Sequence, residues 1–216
     1  MDNCNDTIQS YFFEHPATGM FAGPSKSGKT QLVSISIKII LNNKHCFSLP
    51  PERIYYCYSR WQSAYDEMKE SIQSIQFIQG LPSISIFDEN YINLLIIDDL
   101  MSDAAKNEEI KEIFTVDSRH MNINVFFLVQ NLFQNEKSQR TISININYSF
   151  LIDKPRDRFQ IFSLARQLYS EKPKFIMECF RDAVEEKKYG YLFLDFTQTV
   201  NKQLKVSAEL GLEIID

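Results

Sequence analysis

A chain of 216 residues with 44% apolar and 24% charged side chains has the composition of an ordinary globular domain, which excludes disorder, collagen-like structure and coiled-coil rods. With 23 Lys and Arg against 28 Asp and Glu the net charge is -5, so a generally basic nucleic-acid coat is excluded and any DNA contact must be local. Cys4, Cys46, Cys57 and Cys179 lie far apart, with no CxxC pair and no Cys/His cluster at zinc spacing, so a reducing interior is the expected setting.

No run approaches the roughly 18 apolar residues of a membrane span, and MDNCNDTIQS lacks a basic region followed by an apolar core. The chain therefore reads as soluble and unsecreted. Along it, TGMFA (18–22) is a short apolar run ending at Gly23-Pro24, and TQLVSISIKIILNN (30–43) follows with Leu32, Ile35, Ile39 and Ile40 spaced for a helix. RIYYCYS (53–59) reads as a strand, and WQSAYDEMKESIQSI (61–75) as a helix with Tyr65, Met68 and Ile72 on one face, closed by FIQGLP with Gly80 and Pro82.

The continuous apolar runs INLLIIDDLM (92–101) and INVFFLVQN (123–131) have strand length and end abruptly in polar residues, the pattern of strands buried on both faces of a parallel sheet. Between them the polar segment from Ser102 to Ser118 carries Ile110, Ile113 and Phe114 at helical spacing. YSFLID (148–153) predicts a strand. DRFQIFSLARQLY predicts a helix with a capping box, Asp157 to Gln160, and an apolar face of Ile161, Leu164, Ala165 and Leu168. The tail from Tyr189 to Asp216 reads as a closing strand or hairpin, and residues 1–11 as a flexible N-terminus. Strands alternating with helices predict one α/β domain over 1–216 without linker, repeat or low-complexity segment.

GPSKSGKT, Gly23, Pro24, Ser25, Lys26, Ser27, Gly28, Lys29 and Thr30, fits GxxxxGK[ST] without a mismatch and sits between a strand and a helix, as that motif requires. Glycines let backbone N-H groups wrap a phosphate chain, and the helix N-terminus adds a positive dipole end. Lys29 is then the group that neutralises the β/γ-phosphates of ATP, and Thr30 the ligand of Mg²⁺. Asp98, ending NLLII, is placed to hold the Mg²⁺ through water, and Asp99 to polarise an attacking water or, alternatively, to cap the following helix. Gln130, ending VFFLV with Asn131, is an amide positioned to reach the γ-phosphate or the lytic water, or an ordinary turn residue. Should this strand insert between the P-loop strand and the Asp98 strand, the sheet belongs to the class holding AAA+, RecA-like and DNA-pumping ATPases. In GTPases and small kinases those two strands are neighbours.

Neither NK dipeptide, in NKHC or NKQL, continues to the Asp of a guanine-selective element, so ATP is favoured over GTP. His15, His45 and His120 are scattered and read as surface or packing residues. Tyr55, Tyr56, Tyr58 and Trp61 read as core or surface packing, with stacking on adenine as the functional alternative. Arginines concentrate in the second half, and one of them is available as a trans-acting finger.

The order HPATGMFAGPSKSGKT, YCYSRWQSAYDEM, NLLIIDDLMSD, NVFFLVQNLFQ, RTISININY, KPRDRFQIFSLARQLY and YGYLFLDF resembles the genome-packaging ATPases of poxvirus-like and other large DNA viruses, especially those of Maverick/Polinton elements, adintoviruses and virophages. These form a branch of the FtsK/HerA group of DNA-pumping P-loop ATPases, and the similarity runs from about residue 12 to 205. The resemblance implies a three-layer, RecA-like (additional-strand) P-loop fold with a mostly parallel central sheet. It also implies a homo-oligomeric ring around double-stranded DNA that hydrolyses ATP to fill a capsid, acting with capsid proteins at assembling virions in the host cytoplasm or nucleus. Lys29 and Thr30 would bind phosphate and Mg²⁺, Asp98 would be the metal-side acid, Asp99 the catalytic carboxylate and Gln130 the sensor. Where relatives carry a basic, histidine-rich segment before the sensor strand, this chain has VDSRHMNIN, with Asp117 and Met121; Arg119 is its one full positive charge and the first candidate finger, Arg140 the second. Two other readings stay open: a P-loop nucleoside or nucleotide kinase, and an ATP-binding capsid-assembly switch that hardly hydrolyses.

Overall fold

A computed structural model of the chain describes residues 13–24, 27–42, 47–113, 122–130, 145–152, 158–168, 172–185, 190–197 and 205–207. The strands are β1 (Thr18–Ala22), β2 (Arg53–Tyr58), β3 (Ile75–Gln79), β4 (Asn93–Asp98), β5 (Ile123–Val129), β6 (Tyr148–Ile152), β7 (Tyr191–Asp195) and β8 (Lys205–Ser207). They form one 8-stranded sheet in the order β3-β2-β4-β5-β1-β6-β7-β8. Every pairing from β3 to β6 is parallel, whereas β7 on β6 and β8 on β7 are antiparallel. The helices are α1 (Lys29–Asn42), α2 (Ala64–Ser71), α3 (Met101–Ala104), α4 (Glu108–Glu112), α5 (Arg158–Leu168) and α6 (Pro173–Glu185).

The apolar runs explain the layering. β1, β4, β5 and β6 are buried at every position because both faces of the sheet are covered. Alternate residues divide between two cores. On one side Phe21, Ile54, Tyr56, Leu94, Ile96, Phe126 and Leu128 meet Leu32, Val33 and Ile37 of α1 and Tyr65 and Met68 of α2. On the other, Met20, Cys57, Leu95, Ile97, Val125 and Phe127 meet Ala104 of α3, Ile110 of α4, Ile161 and Ala165 of α5, and Ile176, Phe180 and Ala183 of α6. The result is a three-layer α/β fold.

β5 lies between β1 and β4, with Thr18 opposite Val125 on one side and Asn93 opposite Ile123 on the other. That insertion is the one expected from the sequence. It requires close packing at Gly19, where a Cβ would stand 2.7 Å from the ring of Phe126.

Three elements differ from expectation. The helix expected over 61–75 is confined to Ala64–Ser71, because Ile72 turns to extended backbone (φ -126°, ψ 96°) and leads into β3, an edge strand hidden in the FIQG segment. The helix expected after β4 is split: the Asn107 side chain accepts from the backbone N-H of Ile110 and starts α4 afresh. α6, which sequence periodicity left unassigned, has Pro173 at its start and buries Ile176, Phe180 and Ala183 on one face. The capping residue expected for α5, Asp157, lies outside the described residues, as does the segment 1–11.

Candidate nucleotide-binding site

The site forms where the chain leaves the C-terminal ends of β1, β4 and β5. After β1 the backbone N-H of Gly23 donates to Val129 O at 3.1 Å, which pins the start of the loop to the neighbouring strand. A side chain at Gly23 would bring its Cβ within 2.9 Å of both Ile152 Cβ and Ser27 Oγ. The loop turns through Ser27 N donating to Pro24 O, then through Gly28 at φ 90°, a left-handed conformation that costs glycine little. α1 starts at once, and Leu32 N donates to Gly28 O at 2.8 Å.

Lys29 is only 8% exposed, and its Nζ donates to the carbonyl oxygens of Gly23 (2.7 Å) and Pro24 (2.8 Å). The ammonium is thus held inside the curl of the loop. Ser25 and Lys26 lie outside the described residues.

Asp98 closes β4 at 4% exposure. Its Oδ2 accepts from two phenols, Tyr56 of β2 and Tyr65 of α2, each at 2.7 Å. Burial pushes the Asp98 carboxyl above its ordinary range; the two hydroxyls and the Lys29 charge pull it back, while Asp99 adds to the rise. Burial likewise raises Tyr56 well above an ordinary phenol, with the Asp98 charge adding to it, and Tyr65 shifts the same way for the same reasons. Both phenols therefore keep their protons and remain donors.

Asp99 adopts φ 57°, and its N-H donates to Leu128 O. Its side chain does not cap α3, whose N-terminal boundary is Leu100 without a side-chain cap bond. Instead it meets Gln130: the amide Nε2 donates to Oδ2 at 3.0 Å and to Oδ1 at 3.2 Å. The structure thus joins the ends of β4 and β5 through the two residues whose roles the sequence left most open. Arg119, Arg140, Asn131 and Lys137 lie outside the described residues.

The loop fits a polyphosphate. Gly23 and Gly28 leave the backbone bare, a buried ammonium sits at the centre, and Ser27 Oγ is buried with no hydrogen-bond partner among the described residues. The donor set of Thr30 hydroxyl and Asp98 carboxylate is all oxygen, which suits Mg²⁺.

A P-loop on β1, an acidic pair on β4 and an amide on an inserted β5 define an additional-strand, RecA-like P-loop fold. Among solved structures the chain is similar to the genome-packaging NTPase B204 of Sulfolobus turreted icosahedral virus 2, in a complex with sulfate, at 13% identity and a TM-score of 0.58, over 88% of this chain and 95% of that one. The same NTPase in complex with ATP-γ-S matches at 14% identity and a TM-score of 0.55, over the same shares. B204, the DNA-packaging ATPase of Sulfolobus turreted icosahedral virus, matches at 12% identity and a TM-score of 0.55, over 88% and 96%. No protein-family model matches the chain, and no curated protein matches it in sequence. These neighbours share the three-layer P-loop fold expected from the sequence.

Two residues of the site escaped the sequence. The sequence reads Tyr56 as packing, with stacking on adenine as the alternative, and Tyr65 as part of one helix face, and the two rings do pack, with centroids 5.0 Å apart. Their hydroxyls, however, end on the metal-side candidate Asp98. The available signal was a tyrosine on the strand neighbouring an acidic strand end, which becomes informative only once the β2-β4 pairing is known. His15, by contrast, is a packing residue as expected, bonded to Asn124 (3.0 Å) and Asn122 (3.4 Å) at the opposite end of the sheet.

Proposed function

We propose that the protein is an ATP-driven double-stranded DNA translocase that packages a viral or virus-like genome into a capsid, hydrolysing ATP at the subunit interfaces of a homo-oligomeric ring. The observation that carries the ATPase part is the convergence of Lys29, Asp98, Asp99 and Gln130 at the ends of three adjacent strands. The loop Gly23–Thr30 holds the triphosphate, with Lys29 turning from the carbonyls of Gly23 and Pro24 to the β/γ-phosphates. Thr30 and Asp98 would hold Mg²⁺, Asp98 through water; when bound, the ion neutralises charge that builds on the transferred phosphoryl group. Asp99 takes the proton of the attacking water, and Gln130, released from one carboxylate oxygen, orients that water.

The motor reading is supported over a nucleoside kinase by the position of β5, since the P-loop and acidic strands are neighbours in small kinases. The packaging role is supported by the motifs DDLM and QNLF and by likeness to a DNA-packaging ATPase across most of both chains. A ring would reconcile the net charge of -5 with DNA by presenting positive charge locally, for which Lys137 and Arg140, just beyond the sensor strand in sequence, are the candidates. Arg119, then Arg140, are the candidates to complete a neighbour's site.

Steady-state ATP hydrolysis against protein concentration, with and without long double-stranded DNA, tests the proposal, with Lys29→Ala subtracting contaminants. Turnover per subunit is expected to climb steeply with concentration and again with DNA. A flat, DNA-indifferent rate contradicts it. Phosphate transfer to deoxynucleosides would restore the kinase, and tight ATP binding without turnover in assembled rings the switch.

A further inference from the structure

Asp98 is buried, yet both of its described partners reach it through the same oxygen, and both come from outside the nucleotide loop. Tyr56 approaches from the adjacent strand β2, itself fully buried. Tyr65 approaches from the first turn of α2 and also accepts from Gln62 Nε2 at 2.9 Å. The start of α2 lacks a side-chain cap at Ser63 and is fastened instead by its neighbours: Trp61 Nε1 donates to Asp66 Oδ1 at 3.2 Å, and the Trp61 ring stands edge-on to Tyr65 at 5.5 Å. Trp61 also stands edge-on to Tyr58 and Phe77. It is 43% exposed and is the single tryptophan of the chain. A path of direct contacts therefore runs from the acid at the end of β4 to the surface.

We propose that Tyr56 and Tyr65 are positioning residues for the metal-side acid: by filling Oδ2 of Asp98 they fix its rotamer and leave Oδ1 to serve a magnesium-bound water, and Tyr65 couples that site to the start of α2 and to Trp61. The nearby Lys29 charge attracts the carboxylate without fixing its rotation, which needs directional donors. Two charge-assisted O-H donors at 2.7 Å supply them. Outer-shell partners that orient the groups around a metal typically cost about tenfold in metal affinity when removed. The inference rests on Asp98 being the metal-side acid, as proposed above.

The test uses Tyr56→Phe and Tyr65→Phe, which delete only the hydroxyls and keep both rings, each single variant leaving Asp98 one donor. Binding of mant-AMPPNP is measured without divalent cation and then titrated with MgCl₂, and Trp61 emission is followed in parallel. Gln62→Ala, which removes a partner of Tyr65 without touching Asp98, serves as the control. In each Phe variant the magnesium concentration needed to tighten nucleotide binding is expected to rise about tenfold, with magnesium-free affinity unchanged. The Trp61 response to magnesium is expected to shrink in Tyr65→Phe and to persist in Gln62→Ala. Magnesium titrations in both Phe variants that overlay the wild type overturn the proposal, as does an equal loss of magnesium-free affinity, which marks a merely structural role. Wild-type binding indifferent to magnesium overturns the assignment of Asp98 itself, and the inference falls with it.

Discussion

At the end of β4 two neighbouring carboxylates are given different environments. Asp98 is inside, its carboxylate accepting from two phenols; Asp99, one residue on, is exposed and turned by a left-handed backbone (φ 57°) toward β5. Aspartate tolerates that conformation better than most residues, and asparagine does so as well, so Asp99→Asn preserves the turn. Asp99→Asn is expected to bind ATP with near wild-type affinity while turnover falls about 10²–10⁴-fold, the range for loss of a general base, as read by equilibrium binding beside steady-state hydrolysis. Normal hydrolysis by this variant would remove Asp99 from the chemistry. Gln130→Ala is expected to lower kcat and leave KM unchanged, because its amide contacts the carboxylate rather than the phosphate loop. Lys29→Ala should abolish productive nucleotide binding, having taken away the ammonium held at the centre of the loop. The positions of Asp98, Asp99 and Gln130 are legible in the sequence because each stands at a polar break after a buried strand, and that of Lys29 because GPSKSGKT matches GxxxxGK[ST]. Tyr56 and Tyr65 are not, since a hydroxyl at the tip of a buried ring finds its partner only through the pairing of β2 with β4 and the placement of α2.

Among the elements, the inserted strand makes the strongest demand on sequence. Gly19 of β1 packs against the ring of Phe126 in β5 with no room for a methyl group. Gly19→Ala is therefore expected to destabilise the fold by about 1–3 kcal/mol, seen as a lower urea midpoint at unchanged slope, and Phe126→Leu is expected to recover part of the loss. Unchanged stability in Gly19→Ala would show that β1 and β5 pack more loosely. Cys57, in the middle of the sheet, gives a chemical measure of the same core. Burial pushes its thiol up to about 12. Since an unfolded cysteine ionises near about 8.5, the unfolded chain gives up a proton that the folded chain keeps, and stability falls as pH rises between these values. Alkylation at pH 8 should accordingly miss Cys57 in the native protein and reach it in urea, which peptide mass mapping resolves. The central strands are readable because burial on both faces leaves an unbroken apolar run. β3 is not, being a half-buried edge strand whose alternating residues merge with the end of α2, and α6 shows in the sequence only as the helical spacing of Ile176, Phe180 and Ala183 on one face.

Across the whole molecule the site sits at one rim of the sheet, at the C-terminal ends of the parallel strands, where open α/β sheets bind ligands. The described residues bring together Lys29, Asp98, Asp99 and Gln130, the groups proposed to bind phosphate and activate water; in the proposed ring Arg119 or Arg140 of a neighbouring copy would add a further positive charge at the transferred phosphoryl group. In the proposed motor a site shared between copies would tie hydrolysis to assembly, and assembly around a duplex would turn it into movement. No helix among the described residues is long and apolar enough to cross a membrane. The most direct test of the central claim is therefore movement itself: displacement of a fluorescent third strand from a triplex placed at the far end of linear double-stranded DNA. The assembled protein is expected to strip the third strand only when ATP is present, with Lys29→Ala and Asp99→Asn both inactive. A wild-type protein that hydrolyses ATP on DNA in assembled form and leaves the triplex intact would contradict the account.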